Sequence, residues 1–423
     1  MKIHQRNLSR VVIVGGGGRC EARVNILYIC LLCVCLLALG AFIGRKAPWP
    51  ISRSAWLSET GTRLKSGPWG ELIYVPMTIS APEESMPVRA AEEHGTHWFF
   101  GKIPRENLKT LLDGWDVPAA QRDKLLADIV FNKLPDGIEM VPSYEDIAAI
   151  PEDSRLKIYR YLSKLPENDE QLEHMRLDTV QQRFRDAGVS DKTAELLKGV
   201  SCKSGEYLIY SGQEALLRLI PDYDEKVRFY KATTWERTML LKLHVTSESN
   251  ISNLVSYWGK ATWNTDVRAM LTSLSHVPGG VWVDIVEVLP PFPTGLLYTY
   301  PQPDNPLDGV PVRRDCHWTS FNFFRDPPDP RFGTSEYTIE KLKLDYYMVQ
   351  DPRYGDVVIF CKPNGDCIHS AVFLADDIVY TKNGANPMHP WMLSTITHLL
   401  ELYSFEVESG ERLSVTFARN KYY

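Results

Sequence analysis

A cysteine at position 316 has the surroundings of a nucleophile. It follows Asp315 within the run RRDCHWTSFNFF at 313–324, at the end of a proline-rich stretch. Asp is a favourable helix N-cap, so this pattern predicts that Cys316 begins a helix. A thiol at a helix N-terminus is expected to have a lowered pKa. Because the thiolate is the attacking species, these surroundings favour nucleophilic chemistry at Cys316.

A histidine at position 369 is the candidate base for this thiol. The run YGDVVIF at 354–360 precedes an Asn-Gly turn, and His369 then opens the apolar run SAVFLA. Asn-Gly between apolar runs predicts a β-hairpin, so His369 is expected on a strand. A third polar group would orient the imidazole. Thr381 fits that role by spacing, whereas Asn383 fits it by chemistry, and both would lie on one strand face.

Another histidine follows the cysteine directly. Neighbouring side chains on a helix point about 100° apart, so we expect His317 to be a poor base for Cys316. His317 would then line the cleft or be exposed.

These residues together resemble the NlpC-like cell-wall peptidases, a branch of the papain-like cysteine hydrolases. The similar pieces are Asp315-Cys316, then Gly-Asp-Val-Val-Ile-Phe at 355–360, then His-Ser-Ala-Val-Phe-Leu-Ala at 369–375. The resemblance covers residues 313–403. It departs from the family at His317, where a small polar residue is usual, and at the third catalytic position.

The resemblance implies that a Cys-His pair hydrolyses an amide bond, with a peptide or peptidoglycan-like substrate. Cys316 would attack and His369 would act as general base and then as acid, with Thr381 or Asn383 orienting it. This mechanism requires no metal and no organic cofactor. Two alternatives stay open: a catalytically inactive binding module of the cell envelope, and an acyltransferase that uses the same pair.

Two further cysteines near the turn permit other interpretations. Cys361 and Cys367 flank the turn and could form a cross-strand disulfide in an oxidising compartment. With His369 they could instead bind zinc, although the sequence shows no fourth ligand. The zinc interpretation would remove His369 from catalysis.

An apolar run near the N-terminus predicts attachment to a membrane. Residues 26–44 read ILYICLLCVCLLALGAFIG, near the length that crosses a bilayer core of roughly 30 Å. Residues 1–25 carry five positive charges, which predicts a cytoplasmic N-terminus and a single-pass anchor with the bulk of the chain periplasmic or at the cell surface. A cleaved signal peptide is the alternative.

The rest of the chain must position the cysteine and the histidine. We interpret 45–102 as a linker, 103–200 as a helical region, 201–310 as a mixed α/β connector and 311–423 as the papain-like hydrolase domain. The predicted fold class is α+β, with an N-terminal membrane anchor, a helical middle region and a small antiparallel sheet in the C-terminal domain. The net charge of −6 over 423 residues argues against a nucleic-acid partner. The oligomeric state is not indicated.

Overall fold

The computed structural model describes most of the chain beyond residue 60. The described residues are 61–86, 88, 95–130, 137–168, 172–260, 264–301, 312–407 and 410–422. The predicted cytoplasmic segment 1–25 and the predicted anchor 26–44 both lie outside the described residues. Within the described residues, no helix is both long enough and apolar enough to cross a membrane.

The described strands form four antiparallel sheets. One sheet has the order β1-β2-β9-β10, a second has β3-β5-β4, a third has β6-β8-β7, and a six-stranded sheet has β11-β16-β12-β13-β14-β15. The strands are β1 (Thr62–Arg63), β2 (Glu71–Ile79), β3 (Trp98–Phe99), β4 (Ile129–Val130), β5 (Glu139–Met140), β6 (Glu173–Arg176), β7 (Ser201–Ser204), β8 (Tyr207–Tyr210), β9 (Glu236–Val245), β10 (Val281–Asp284), β11 (Tyr346–Val349), β12 (Val357–Cys361), β13 (Cys367–Ala375), β14 (Ile378–Lys382), β15 (Trp391–Thr395) and β16 (Ser414–Asn420).

The helices are short and lie between these strands. They are α1 (Arg105–Gly114), α2 (Ala119–Ala127), α3 (Tyr144–Ala148), α4 (Glu152–Leu162), α5 (Leu177–Ala187), α6 (Asp191–Val200), α7 (Gln213–Leu217), α8 (Tyr223–Thr233), α9 (Ile251–Trp258), α10 (Asn264–Ser275), α11 (Pro291–Leu296), α12 (Cys316–Phe321), α13 (Ser335–Asp345) and α14 (Ile396–Leu402). Single 3₁₀ turns add Glu83–Ser85, Pro166–Asn168, Ile285–Val288, Pro330–Gly333 and Tyr403–Glu406.

The predicted fold class, α+β with a membrane anchor, a helical middle region and one small C-terminal sheet, is wrong. The described chain is mixed α/β, with several antiparallel sheets distributed along it. Two three-stranded sheets lie among the helices of the middle region, and the C-terminal sheet has six strands. Strands such as β3 and β5 have only two residues each, and strands this short leave no periodic signal in the sequence.

The C-terminal sheet shares an apolar core with strands from far upstream. Leu72 of β2 and Leu241 of β9 belong to the same buried cluster as Trp318 and Leu393. A second cluster gathers the apolar faces of the helices between α1 and α8 and also includes Met388. Residues 60–423 accordingly form one compact unit.

The Gly-Asp pair before β12 has a structural role. Gly355 has φ of 87°, and a Cβ there would lie 2.3 Å from the ring of Phe324, so only glycine fits. Asp356 is 1% exposed and accepts hydrogen bonds from Arg419 of β16 at 2.7 and 3.0 Å. This buried ion pair fixes β12 beside β16, and β12 in turn pairs with the strand that carries His369.

Candidate active site

Cys316 is the first residue of α12, as the sequence predicts. The Asp315 carboxylate caps the helix by accepting a hydrogen bond from the backbone N–H of Trp318 at 2.9 Å. The Cys316 side chain is only 5% exposed. Because α12 has six residues, its dipole is small, and the reactivity of the thiol depends on the side chains around it.

His369 lies on β13, opposite Phe360 of β12, and its side chain is fully buried. The predicted hairpin and strand position are therefore confirmed. The Nε2 atom of His369 is 3.0 Å from the hydroxyl oxygen of Thr381 on β14. Nδ1 makes no conventional hydrogen bond to any described residue, so it is the ring nitrogen left to interact with the cysteine.

The sulfur of Cys316 interacts with two imidazoles. Burial alone would raise the pKa of the thiol, but the charges and hydrogen bonds of His317 and His369 outweigh burial. The pKa of Cys316 consequently lies well below its ordinary value. A thiolate is therefore the stable form of a sulfur that is almost completely enclosed, which is the state that a nucleophile requires.

His317 is the functional residue that sequence reasoning missed. Burial would lower the pKa of its imidazole, but the adjacent Cys316 sulfur raises that pKa to about 9. Its Nδ1 atom lies 2.9 Å from the Ser370 hydroxyl, which also contacts Ser320 and the carbonyl of Cys316. The expectation that His317 lines the cleft is confirmed, and the expectation that it is a poor base for Cys316 stays a prediction. The helical angle alone did not reveal its interaction with the sulfur, because that angle does not fix where two side-chain ends lie.

The structure separates the two candidates for the third catalytic position. Thr381 contacts His369, whereas neither the amide nitrogen nor the amide oxygen of Asn383 has a hydrogen-bonding partner among the described residues. Asn383 is nevertheless 3% exposed and lines the cavity in front of Cys316. The contact with the His369 ring therefore comes from Thr381, the residue that spacing favoured.

A tyrosine that the sequence did not single out covers the imidazole of His369. The ring of Tyr403 stacks on the imidazole of His369, with 4.4 Å between centroids and 26° between planes. Burial raises the pKa of the Tyr403 phenol well above its usual value, and the nearby Cys316 charge adds to this. Tyr403 follows α14, so only the three-dimensional fold shows this contact.

The cavity in front of Cys316 has a volume of about 370 Å³. One wall comes from the C-terminal region and includes His317, Asn383 and Tyr403. Other lining residues come from far upstream and include Lys164, Leu172 and His174. Residues that the sequence assigns to a separate helical region thus help to enclose Cys316.

A charged cluster borders this cavity, and two of its members, His174 and His389, line it. His389 contacts Glu236 at 2.7 Å and Glu173 at 3.3 Å. Burial would lower the pKa of His389, but Glu173 and then Glu236 raise it to about 10. Burial lowers the pKa of neighbouring His174 to about 4. The cluster therefore holds one imidazolium between two carboxylates.

Cys361 and Cys367 face each other across the hairpin with 2.8 Å between sulfurs, and both are free thiols. The disulfide interpretation stays a prediction. Among the described residues, no group of three or more His, Cys, Asp or Glu side chains is arranged so that it could hold a metal ion. The zinc interpretation therefore gains no support, and Nε2 of His369 already contacts Thr381.

The fold and this geometry define a class of site: a buried thiolate between two imidazoles, with a hydroxyl group behind one of them. No protein family, characterised protein or solved structure matches the chain. The similarity to NlpC-like peptidases thus remains a prediction, and the chemistry of the site is inferred from its own geometry.

Proposed function

We propose that this protein is a cysteine hydrolase that cleaves an amide bond through a covalent thioester on Cys316. The observation that carries the proposal is the buried Cys316 sulfur, whose pKa is lowered by the imidazoles of His317 and His369. A structural cysteine in an apolar core has the opposite shift, as Cys202 does, where burial raises the pKa to about 12.

His369 is the proposed base: its Nδ1 atom holds the proton that the Cys316 thiol gives up, so that the sulfur reacts as a thiolate. The thiolate then forms a bond to the carbonyl carbon of the substrate, and the carbonyl π electrons move to oxygen. The Thr381 hydroxyl accepts a hydrogen bond from Nε2–H of the resulting imidazolium and fixes the plane of the ring. The backbone N–H of Cys316 lies in the first helical turn, where it has no intrahelical acceptor, and can stabilise the oxyanion.

His317 is the proposed acid. His317 lines the cavity, whereas His369 is fully buried and is covered by the ring of Tyr403. Because the pKa of His317 is about 9, its imidazole is protonated at neutral pH. As the carbonyl re-forms and the C–N bond breaks, His317 donates its proton to the leaving amine. Water then attacks the thioester while the neutral His317 imidazole accepts a proton from it, and the carbon–sulfur bond breaks to release the carboxylic acid and the Cys316 thiolate, with His317 protonated again.

This assignment divides between two histidines the roles that the sequence gave to His369 alone. The cell-wall peptide implied by the resemblance stays a prediction, because no described side chain of the cavity selects it. Membrane attachment through residues 26–44 and an extracytoplasmic location likewise stay predictions.

The test is selective alkylation of the full-length protein with limiting iodoacetamide at neutral pH, followed by peptide mass spectrometry. We expect Cys316 to be labelled ahead of Cys202, Cys361 and Cys367, because its sulfur is held as a thiolate. Acylation by p-nitrophenyl acetate should modify the same residue, and the acyl group should be lost to water.

Two variants supply the controls. His369→Ala should slow both reactions, whereas His276→Ala, at an exposed histidine on the surface, should not. If Cys316 reacts no faster than Cys202, or if His369→Ala has no effect, the proposed function is wrong.

A further inference from the structure

The hydroxyl group of Ser370 contacts both the second imidazole of the site and the helix that begins at Cys316. Its oxygen lies 2.9 Å from Nδ1 of His317, 3.1 Å from the hydroxyl oxygen of Ser320 and 3.3 Å from the carbonyl oxygen of Cys316. Ser370 is 1% exposed and Ser320 is 3% exposed. Because both hydroxyl groups are buried, these contacts decide where their hydrogen atoms lie.

The direction of each hydrogen bond follows from the shortest of them. A carbonyl oxygen can only accept, so the Ser320 hydroxyl donates its single hydrogen to the Cys316 carbonyl at 2.8 Å. The Ser370 hydroxyl then has two acceptors for its own hydrogen, the Ser320 oxygen and the Cys316 carbonyl. With that hydrogen directed to either one, the Ser370 oxygen presents a lone pair to His317, so Nδ1 is the donor in their contact.

The charge of the His317 ring requires the same direction. Burial and Arg313 lower the pKa of the ring, but the Cys316 sulfur and Asp315 raise it to about 9. The imidazolium that is present at neutral pH has an N–H donor at both nitrogens and no acceptor. Nδ1–H therefore donates to Ser370, and Nε2–H is the donor that remains for the sulfur and for a molecule in the cavity that His317 lines.

One strand connects the two imidazoles of the site. His369 and Ser370 are consecutive residues of β13, so their side chains leave on opposite faces of the sheet. His369 contacts the Thr381 hydroxyl on one face, and the Ser370 hydroxyl contacts His317 of α12 on the other. Each imidazole therefore has a buried hydroxyl group on one of its ring nitrogens.

We propose that Ser370 is a positioning residue for His317, which keeps its Nδ1 proton throughout the reaction, so that Nε2 gives a proton to the leaving amine and later takes one from water. In the first transfer the Nε2–H bond breaks as an N–H bond forms on the amine. In the second, an O–H bond of water breaks, the proton returns to Nε2, and the oxygen bonds to the thioester carbon. Without Ser370 the proton of the neutral ring is free to occupy Nε2, where it prevents that nitrogen from accepting a proton.

This inference rests on the proposed hydrolase function, and its test follows hydrolysis of the acetyl-enzyme. The full-length protein is acetylated on Cys316 with p-nitrophenyl acetate and freed of excess reagent. Mass spectrometry of the intact protein then gives the rate at which the acetyl group is lost to water, between pH of about 5 and about 9. In the wild-type protein the rate should rise with pH to a plateau, because only a neutral imidazole accepts a proton from water.

Removing the hydroxyl should change both the height and the position of this profile. In Ser370→Ala we expect the plateau rate to fall about tenfold and the rise to move about one pH unit lower, because the imidazolium has lost a hydrogen bond. Ser370→Thr keeps a hydroxyl group and should restore both. The matched control is Ser394→Ala, at a 2% exposed serine whose hydroxyl has no hydrogen-bonding partner among the described residues, and it should keep the wild-type profile.

A second measurement needs no variant of Ser370. Alkylation of Cys316 with iodoacetamide leaves a sulfur without charge, as in the thioester, so the His317 ring loses the group that raises its pKa and is neutral at pH of about 9. In protein labelled with nitrogen-15 histidine, long-range proton–nitrogen NMR spectra show which ring nitrogen carries the proton. Signals that are absent in His317→Ala belong to this ring. We expect the proton on Nδ1, whereas a free imidazole side chain in water favours Nε2.

The outcomes separate the two proposals. A proton on Nε2 in the alkylated wild-type protein overturns the role of Ser370 and leaves the hydrolase function standing. A profile that Ser370→Ala leaves unchanged, or lowers without moving the rise, has the same meaning. If p-nitrophenyl acetate does not acylate Cys316, the hydrolase function fails, and the proposed proton transfers fail with it.

Discussion

The Nε2 atom of His369 lies 3.0 Å from the hydroxyl oxygen of Thr381, and both side chains are completely buried. Because Nε2 is engaged by Thr381, Nδ1 is the ring nitrogen of His369 that remains for the Cys316 sulfur. In most sets of nucleophile, base and orienting residue, a carboxylate or a carboxamide holds the imidazole in position. Here the hydroxyl of Thr381 makes that contact.

Removing that hydroxyl should weaken the base. In Thr381→Val the imidazolium of His369 loses its acceptor, and we expect the rate of Cys316 alkylation at pH 7 to fall about tenfold, the value for one hydrogen bond to a charged group. The measurement is the second-order rate constant with iodoacetamide. Thr381→Ser keeps the hydroxyl and should restore most of the rate. Equal rates in the valine and serine variants would exclude an orienting role for Thr381.

Removing the second imidazole should raise the pKa of the thiol. The alkylation rate of Cys316 follows the thiolate fraction, so its pH profile reports that pKa. In the wild-type protein we expect the alkylation rate to rise with pH well below the pH at which an ordinary thiol ionises. The ion pair between Cys316 and His317 should be lost above pH of about 9, where the His317 imidazole loses its proton. His317→Ala should move the rise to higher pH, whereas His276→Ala should not. An unchanged profile in His317→Ala would assign the whole shift to His369.

The charged cluster of His389, Glu173 and Glu236 should make the unfolding free energy depend on pH. The pKa of His389 is raised from 6.5 to about 10 in the folded protein. Its contribution to folding is therefore fully present below pH of about 6.5 and is lost as the pH rises towards 10. His389→Gln leaves Glu173 and Glu236 buried without this counter-charge and should cost about 3 kcal/mol of unfolding free energy at pH 6.

The measurement is urea denaturation of the wild-type protein and His389→Gln at pH 6 and at pH 10. The difference in unfolding free energy should be smaller at pH 10, where the wild-type imidazole is losing its proton. The exposed-site control His276→Gln should show no such dependence. An equal loss at both pH values would mean that packing, and not charge, accounts for the effect.

The buried ion pair of Asp356 and Arg419, which holds β12 beside β16, should affect the stability of the fold and not the reactivity of Cys316. Asp356→Asn leaves Arg419 without its carboxylate and should lower the unfolding free energy by about 3 kcal/mol. The side chain of Asp178 is 56% exposed and pairs with Arg176, so Asp178→Asn should lower the unfolding free energy by less than about 1 kcal/mol. Under conditions where Asp356→Asn is folded, Cys316 should keep its alkylation rate, and a large loss of rate would contradict a purely structural role.

The sequence predicted those parts of the site that depend on short-range rules. Capping chemistry placed Cys316 at a helix start, and an Asn-Gly turn placed His369 on the returning strand. The same rules could not find Tyr403 or the upstream cavity wall, because these depend on contacts between segments that are distant in the chain. They placed His317 in the cleft but did not reveal its interaction with the Cys316 sulfur, which depends on the positions of two side-chain ends and not on the helical angle.

The fold was harder to predict for a related reason. The β2–β9 pairing joins residues 71–79 to residues 236–245, and no local pattern reports which distant strand an extended segment will pair with. The two three-stranded sheets were missed because their strands are two to four residues long, too short for alternation to be recognised.

The position of Lys164, Leu172 and His174 on one side of the cavity has a consequence for how such proteins diverge. If the protein has the proposed function, bond cleavage and the choice of which molecule is cleaved would be encoded in separate stretches of the gene. Mutation of the upstream stretch could retune selectivity while the Cys-His pair is inherited unchanged. Two descendants with the same nucleophile and base could then process different molecules, and a comparison confined to the neighbourhood of Cys316 and His369 would not distinguish them.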